Sequence, residues 1–460
     1  MTMKKALCIL FTILMLAATL SGCAGKTDPL GVIADPLWIV VDFGSIDISY
    51  VEAALTDLKS FMVHTAGIPE EDFVFECLPI RGSERDTAID RIRTEIMSGE
   101  GPDLFIVQCR NSLRQPLLFE MPEKAMELGY FLPLDEYIEN AEYAEWDKFT
   151  KTIMDAGRNK EGQQLVPLAY KLPAAMYREE DVSHTPTNMT WEELKSEEAL
   201  QDAVQRLGAG LPPSGPWDGS YDFPIDYLLG VLADYQNEEL MFTEEELLRY
   251  ATEICETTKY YEDNKLYEVP YSTKSSLGVG FNSTGDGSGG DGRNLVGNLL
   301  NGITEHDALT LVPLYSDDGG CTALVTSFAA INRNTDRPEE AFKVLDQLMS
   351  THYQCNSTLF REFIYYENAE PGMPVHSEVM SEQFVVRGHE AHNYWFSLTP
   401  ENFEAVSTVR EQITEVQFCG SLNDALETMM INCYIEYMNG EDYTQTVHET
   451  YGVLRQMMAE

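Results

Sequence analysis

Between residues 37 and 107 the chain switches repeatedly between two hydrophobic periods, and this switching restricts the available folds more than any other feature. Trp38 to Phe43 (WIVVDF) is a continuous apolar run of strand length that stops at Gly44. Ala53, Ala54, Leu55, Leu58, Phe61 and Met62 then recur at helical spacing. Phe73 to Ile80 is a second apolar strand, closed by Arg81 and Gly82. Ser83 with Asp86 predicts a capping box opening a helix whose apolar stripe is Ala88, Ile89, Ile92 and Ile96. Gly99 to Pro102 stops that helix, and Asp103 to Val107 reads as a third strand. Strands alternating with helices predict an α/β fold with a parallel sheet, because parallel neighbours need a long crossover that covers the sheet face. Ligands in such sheets sit beyond the carboxyl ends of the strands, here at Phe43, Gly44, Ser45 and at Gln108, Cys109, Arg110.

The first residues point to export. Lys4 and Lys5 precede an apolar run from Ala6 to Leu20, which is shorter than the roughly 20 residues of a bilayer span. Ser21, Gly22 and Cys23 end it, the pattern of a secretory signal. Leu20-Ser21-Gly22-Cys23 resembles the bacterial lipoprotein box, which implies a signal peptide over 1–22, a diacylglyceryl group on Cys23 and a tether over 23–35. Several acyl chains, each stabilising by about 0.8 kcal/mol per buried methylene, would hold a folded body at a membrane.

Charge narrows the partners. Asp and Glu total 76 against 31 Lys and Arg, a net charge of −45. That balance argues against nucleic acid and against electrostatic docking on anionic lipid, both of which recruit basic residues. Cys77, Cys109, Cys255, Cys321, Cys355, Cys419 and Cys433 are scattered without a C-x-x-C pair, so neither a zinc site nor a dense disulfide scaffold is expected. Gly285, Gly287 and Gly290 match G-x-G-x-x-G, but no strand–helix unit opens from the Gly-rich stretch 283–294. Asp286 and Asp291 lack EF-hand spacing, and His389, Glu390 and His392 lack H-E-x-x-H spacing. No G-x-S-x-G elbow is present. The expectation is a protein without catalysis, metal or cofactor.

Further along, Leu165 to Tyr170 is an apolar segment suited to crossing into a second lobe. Thr190 with Glu193, and Thr243 with Glu246, predict helix-opening capping boxes. Residues 211–224 are a loop with four Pro and three aromatics, including Trp217 and Tyr221. Leu309 to Leu314 and Ala323 to Ile331 read as strands. Pro338 opens a helix striped by Ala341, Val344, Leu345 and Leu348, and the last hundred residues are mainly helical, with Pro400 near one start.

This order of parts resembles the extracellular solute-binding proteins, family 1, of ABC transporters. SGEGPDLFIV (98–107) looks like the family's G-x-G-P-D-hydrophobic third strand, and LGYFLPLDEYI (128–138) like its P-L-D turn. GQQLVPLAYKLPAAMYREED (162–181) is similar to its crossing segment, with Leu165 where Tyr is usual. MTWEEL (189–194) and the stretch 317–350, with its P-E-E-A helix, complete the likeness together with the closing helices. The resemblance implies a periplasmic-binding-protein type II fold, with two lobes of central sheets flanked by helices and a cleft between them. Motif order puts lobe one at 36–170 plus 309–351 and lobe two at 171–308 plus 352–460. It also implies a monomer that captures a carbohydrate, most often an oligosaccharide, for the permease subunits of an ABC importer. It would act lipid-anchored on the extracellular face of the cell membrane. A clamshell sensor or adhesin without transport, and a non-sugar solute such as a peptide, are the alternatives.

Sugars present hydroxyls around a ring and a flat C–H face, so aromatic planes and hydrogen-bonding groups at a cleft rim suit them. The candidates are Phe43 and Gly44 after the first strand, Arg110 after the third, and Tyr170 and Lys171 at the crossing. Trp217 and Tyr221 in the Pro-rich loop, and Tyr394 and Trp395 in HNYWF, complete the set.

Overall fold

The three strands expected in residues 37–107 form as their apolar runs suggest. β1 (Leu37–Asp42) lies between β2 (Phe73–Cys77) and β3 (Leu104–Gln108), parallel to both. α1 (Ile48–Phe61) and α2 (Ser83–Met97) supply the crossovers. All five residues of β3 are buried, as expected of a strand covered on both faces. This computed structural model describes residues 35–43, 48–109, 115–178, 225–263, 309–313, 315–316, 318–360, 372–381, 383–384, 386–387, 395–396, 398 and 400–459.

The helix α2 begins differently from expectation. Its N-cap is Gly82, not Ser83, and no side chain caps it. Gly82 has φ +82°, a conformation open mainly to glycine, and its carbonyl accepts from the amides of Arg85 (2.9 Å) and Asp86 (3.2 Å). Ser83 is therefore already inside the helix, where its carbonyl accepts from the Thr87 hydroxyl. The second expected box is present: the Thr243 amide donates to Glu246 Oε2 (2.7 Å), and the Glu246 amide donates to Thr243 Oγ1 (3.2 Å). Thr190 and Glu193 lie outside the described residues.

After α3 (Pro122–Glu127), the strands β4 (Leu165–Lys171) and β5 (Ala174–Arg178) follow. Next come α4 (Ile225–Leu229), α5 (Glu244–Asp263), β6 (Leu309–Pro313), β7 (Thr322–Ile331) and α6 (Pro338–Leu348). The short strands β8 (Met373–Pro374), β9 (Val386–Arg387) and β10 (Trp395–Phe396) precede α7 (Pro400–Gln412). The chain closes with β11 (Glu415–Phe418), α8 (Ser421–Asn439) and α9 (Thr444–Ala459).

The main sheet has seven strands in the order β8-β4-β7-β3-β1-β2, with β11 paired to β7. It is mixed: β1, β2 and β3 are parallel as expected, while β7 runs antiparallel to both β3 and β4. All ten residues of β7 are buried, so its apolar run identifies a central strand but carries no sign of direction. Pro338 opens α6 as predicted, and Ala341, Val344, Leu345 and Leu348 are its buried stripe.

Two apolar cores result. The first is built on the sheet and includes Ile39, Ile92, Phe105, Phe131, Leu168, Phe328 and Val344. It also takes in Phe360, Met373, Val375, Val406, Val409 and Phe418 from the stretch 352–419. Phe119 packs edge-on against Phe105 (5.1 Å between centroids) and Phe131 (5.0 Å), and Phe328 against Phe418 (5.5 Å). The second core is mainly helical: Ile225, Leu247, Ala251, Ile254, Leu426, Met430 and Leu454 come from α4, α5, α8 and α9, with Leu232, Ala233 and Phe242 from the stretch between α4 and α5. Of the seven described cysteines all but Cys77 are buried, and none is in a disulfide. Burial pushes the Cys255 and Cys433 thiols up to about 12, so they pack as small apolar groups. No described helix is long and apolar enough to cross a membrane.

Candidate functional site at the carboxyl edge of the main sheet

Strand direction decides where the site candidates meet. β1 and β3 are parallel, β7 opposes β3, and β4 opposes β7, so β1, β3 and β4 all point the same way. Phe43, Cys109 and Lys171 therefore leave the sheet at one edge, which the first half of β7 also borders.

At that edge β3 and β11 share one side of β7 and run toward each other. Gln108 pairs with Ser327, and Phe418 pairs with Val325. The next amides, of Cys109 and Cys419, donate to the carbonyls of Thr326 (2.8 Å) and Val325 (2.9 Å). Both strands thus end against Thr326. On the other side, the β4 register shifts between Val325 and Ser327 and again between Ser327 and Phe328. Such irregularities re-aim side chains next to functional sites. The Thr326 and Ser327 hydroxyls are buried and have no hydrogen-bond partner among the described residues. Leaving a buried hydroxyl unpaired costs about 1–3 kcal/mol, so two together at one irregular strand need a reason.

The chain leaves the main sheet here. β4 runs into β5, which pairs antiparallel with β6, and β6 feeds back into β7. Ala174 still belongs to the first core, and β6 packs on α7 of that core. β11 runs through Cys419 and Gly420 into α8, passing directly from the first core to the second. That passage is held closely. The Gln417 side chain accepts from the Leu232 amide (2.9 Å) and donates to the Gly230 carbonyl (3.1 Å). The Ser421 amide donates to the Glu120 carbonyl (2.8 Å), and a Cβ on Gly420 would lie 2.5 Å from that same oxygen. Glu123 on α3 accepts from the Phe418 amide (2.6 Å) with one oxygen, and its other oxygen is buried without a partner among the described residues. Burial raises its pKa to about 7, against the lowering effect of the Phe418 N–H. Its neighbour Lys124 donates to the last carbonyls of α9, Met457 (3.3 Å) and Met458 (2.8 Å).

The exits of the parallel strands are tied by one side chain. Arg85 is 0% exposed, and its guanidinium donates to both Asp42 oxygens (3.0 and 2.6 Å) at the end of β1. It also donates to the carbonyls of Pro79 (3.0 Å), just past β2, and Pro116 (2.8 Å), on the segment after β3.

Of the sequence candidates, the structure brings Phe43, Tyr170 and Lys171 to this edge. All three are buried, Phe43 inside the first core. The Tyr170 hydroxyl accepts from Arg410 Nε (2.9 Å), and Arg410 also donates to the Ser377 carbonyl (2.8 Å). Trp395 lies in β10, whose partner is β9 and not the main sheet. Gly44, Arg110, Trp217, Tyr221, Tyr394 and Cys23 lie outside the described residues. Arg85, Asp42, Thr326, Ser327 and Glu123 were not singled out from the sequence. Arg85 had left a signal: with Ile89, Ile92 and Ile96 it occupies one face of α2, a charge heading an apolar stripe.

A sheet-based core joined to a second core at the carboxyl edge of its strands is the architecture of a two-lobed α/β binding protein. Comparisons with known proteins agree. Residues 81–354 match the model of the bacterial extracellular solute-binding protein family, and the chain belongs to that family. Its members bind solutes outside the cytoplasm and are not enzymes. Among solved structures it is similar to an extracellular solute-binding protein family 1 from Alicyclobacillus acidocaldarius (TM-score 0.52, 16% identity, covering 92% of this chain and 98% of that one). It is also similar to an ABC substrate-binding protein from Listeria monocytogenes in complex with cycloalternan (TM-score 0.52, 14% identity, 92% and 99%). A third is the GacH receptor of Streptomyces glaucescens, solved unliganded and with acarbose (TM-score 0.50, 12% identity, 91% and 98%). These likenesses establish the α/β periplasmic-binding-protein fold. No curated protein matches the sequence.

Proposed function

We propose that the protein captures an oligosaccharide between two lobes and delivers it to the permease subunits of an ABC importer. A lipid on Cys23 would hold it at the extracellular face of the cell membrane. The lobes follow the two cores: residues 36–171 and 322–419 form the first, and 225–263 with 420–459 belong to the second. This division moves the stretch 352–419 out of the lobe two that motif order suggests. The observation that carries the reading is the carboxyl edge itself, where β11 passes directly into the second core and two buried hydroxyls stand unpartnered among the described residues. Hydroxyl-bearing solutes suit such groups, and solved relatives of the same fold hold cycloalternan and acarbose. Phe43 and Lys171 would frame the sheet side of the site, with Tyr170 supporting it through Arg410. Gly44, Arg110, Trp217, Tyr221, Tyr394 and Trp395 would complete it.

A thermal-shift screen over neutral and acidic oligosaccharides tests this. A ligand at a hundred times its Kd stabilises the folded state by about 2.7 kcal/mol, a readily measured rise in Tm. Stabilisation by at least one member is expected. A flat response across cyclic and linear glucans together with galacturonides would overturn the sugar assignment.

A further inference from the structure

We propose that Arg85 is the positioning residue of the sheet-side half of the solute site, fixing how the exits of β1, β2 and β3 stand relative to one another. The inference rests on the binding reading above and names a residue that no solute would touch. Arg85 is fully buried, and its bonds to Asp42 occupy both oxygens of that carboxylate. It acts through what it holds. Its remaining bonds, to the carbonyls of Pro79 and Pro116, reach the other two exits. Both acceptors are backbone carbonyls, so the guanidinium fixes main chain rather than side chains at those exits. A guanidinium is planar and its donors diverge at fixed angles, so it sets orientation as well as distance. A Lys ammonium would keep the charge beside Asp42 but could not present that fork.

A second arginine on the same helix continues the attachment. Arg93 donates to the carbonyls of Leu118 (3.0 Å) and Leu117 (2.7 Å) and to Glu120 (2.8 Å). That side chain is 35% exposed and serves only the segment after β3. Arg85 alone of the two joins all three exits. Such a residue places binding groups to within a fraction of an ångström without contributing a contact of its own.

The test compares Arg85→Lys with Asp103→Asn, a change at the opposite edge of the same strands, where the Trp38 amide donates to Asp103 Oδ2. Amide hydrogen exchange is followed at Phe43, Leu78, Cys109, Leu117 and Leu118, and across the rest of the sheet. Acarbose and cycloalternan are titrated as binding probes. Arg85→Lys is expected to speed exchange at the exits at least tenfold over the rest of the sheet, and to weaken probe binding more than tenfold. Asp103→Asn is expected to do neither. Exchange that rises evenly across the sheet overturns the proposal, and so does local loosening with unchanged probe affinity. If Arg85→Lys does not fold, Asp42→Asn, which keeps the guanidinium and both proline carbonyl bonds, is read by the same two criteria with a smaller expected loss. If the wild-type protein binds neither probe, the choice of sugar fails by itself, and the exchange pattern decides for or against Arg85.

Discussion

The two edges of the main sheet are built on different terms. At the amino edge most polar groups find a partner in the turn beside them, although Gln164 Oε1, just before β4, is buried without one among the described residues. Asp103 accepts from the Trp38 amide (2.7 Å) and the Thr335 hydroxyl (2.5 Å), and Asn332 donates to the Glu100 carbonyl (3.0 Å) and accepts from the Asn334 amide (3.0 Å). Gly99 and Gly101, at φ +84° and +102°, make the tight approach to β3. At the carboxyl edge one buried cation reaches three exits, two strands collide at Thr326, and a carboxyl and two hydroxyls keep oxygens without partners among the described residues. The first edge closes most of its own hydrogen bonds. The second carries polar groups that its own fold does not satisfy, the pattern expected where a ligand or a moving partner will meet it.

The largest effect should come from cutting the tie at the carboxyl edge. Arg85→Met removes the guanidinium from the buried Asp42 carboxylate, and should cost about 3–5 kcal/mol in denaturant unfolding. A cost below that of an amino-edge change would erase the asymmetry between the edges.

Next comes Glu123, where the sign depends on pH. Its folded pKa of about 7 lies above the ordinary 4.5, so the folded state holds its proton more tightly than the unfolded state does. The stability this provides is complete below pH 4.5 and is lost as pH rises through about 7. Glu123→Gln should therefore raise stability by about 3 kcal/mol at pH 8 and have little effect near pH 4.5, since each tenfold difference in proton affinity between the folded and unfolded chains is worth roughly 1.4 kcal/mol. Parallel stability–pH curves for the two proteins would show that the carboxyl is better solvated than its position implies.

The smallest effect belongs to the amino edge. Asp103→Asn keeps one acceptor for two donors, and should cost about 1 kcal/mol. Solute affinity should be untouched, which titration of the variant checks.

Local pattern was legible in the sequence where it is self-contained. Strands β1 and β3 appear as unbroken apolar runs because both their faces are covered. The α6 stripe and the Thr243–Glu246 box need only neighbouring residues to form. Direction was not legible, since β7 takes its antiparallel place from partners far away in the chain. Ser83 misled because a glycine with positive φ can cap a helix without a side chain, and composition alone does not reveal φ. Arg85 was hidden by habit: a charged residue on a helix is usually assigned to solvent, and only the three isoleucines below it on the same face show otherwise. For the site, the edge was legible from strand order, and Phe43, Tyr170 and Lys171 do stand on it. The unpartnered hydroxyls and Glu123 were not, because burial at a junction of distant segments leaves no periodic trace.

The meeting of β3 and β11 at Thr326 has a consequence for how such a chain can change length. Both strands are measured against one residue of β7, from opposite directions. Lengthening either by one position would require the other to shorten, and a deletion within β7 would alter the pairing of both at once. The two strands therefore share a common origin of register. Insertions that leave it intact must fall outside these three strands, so an alignment gap inside them would signal a rebuilt junction and not a harmless loop.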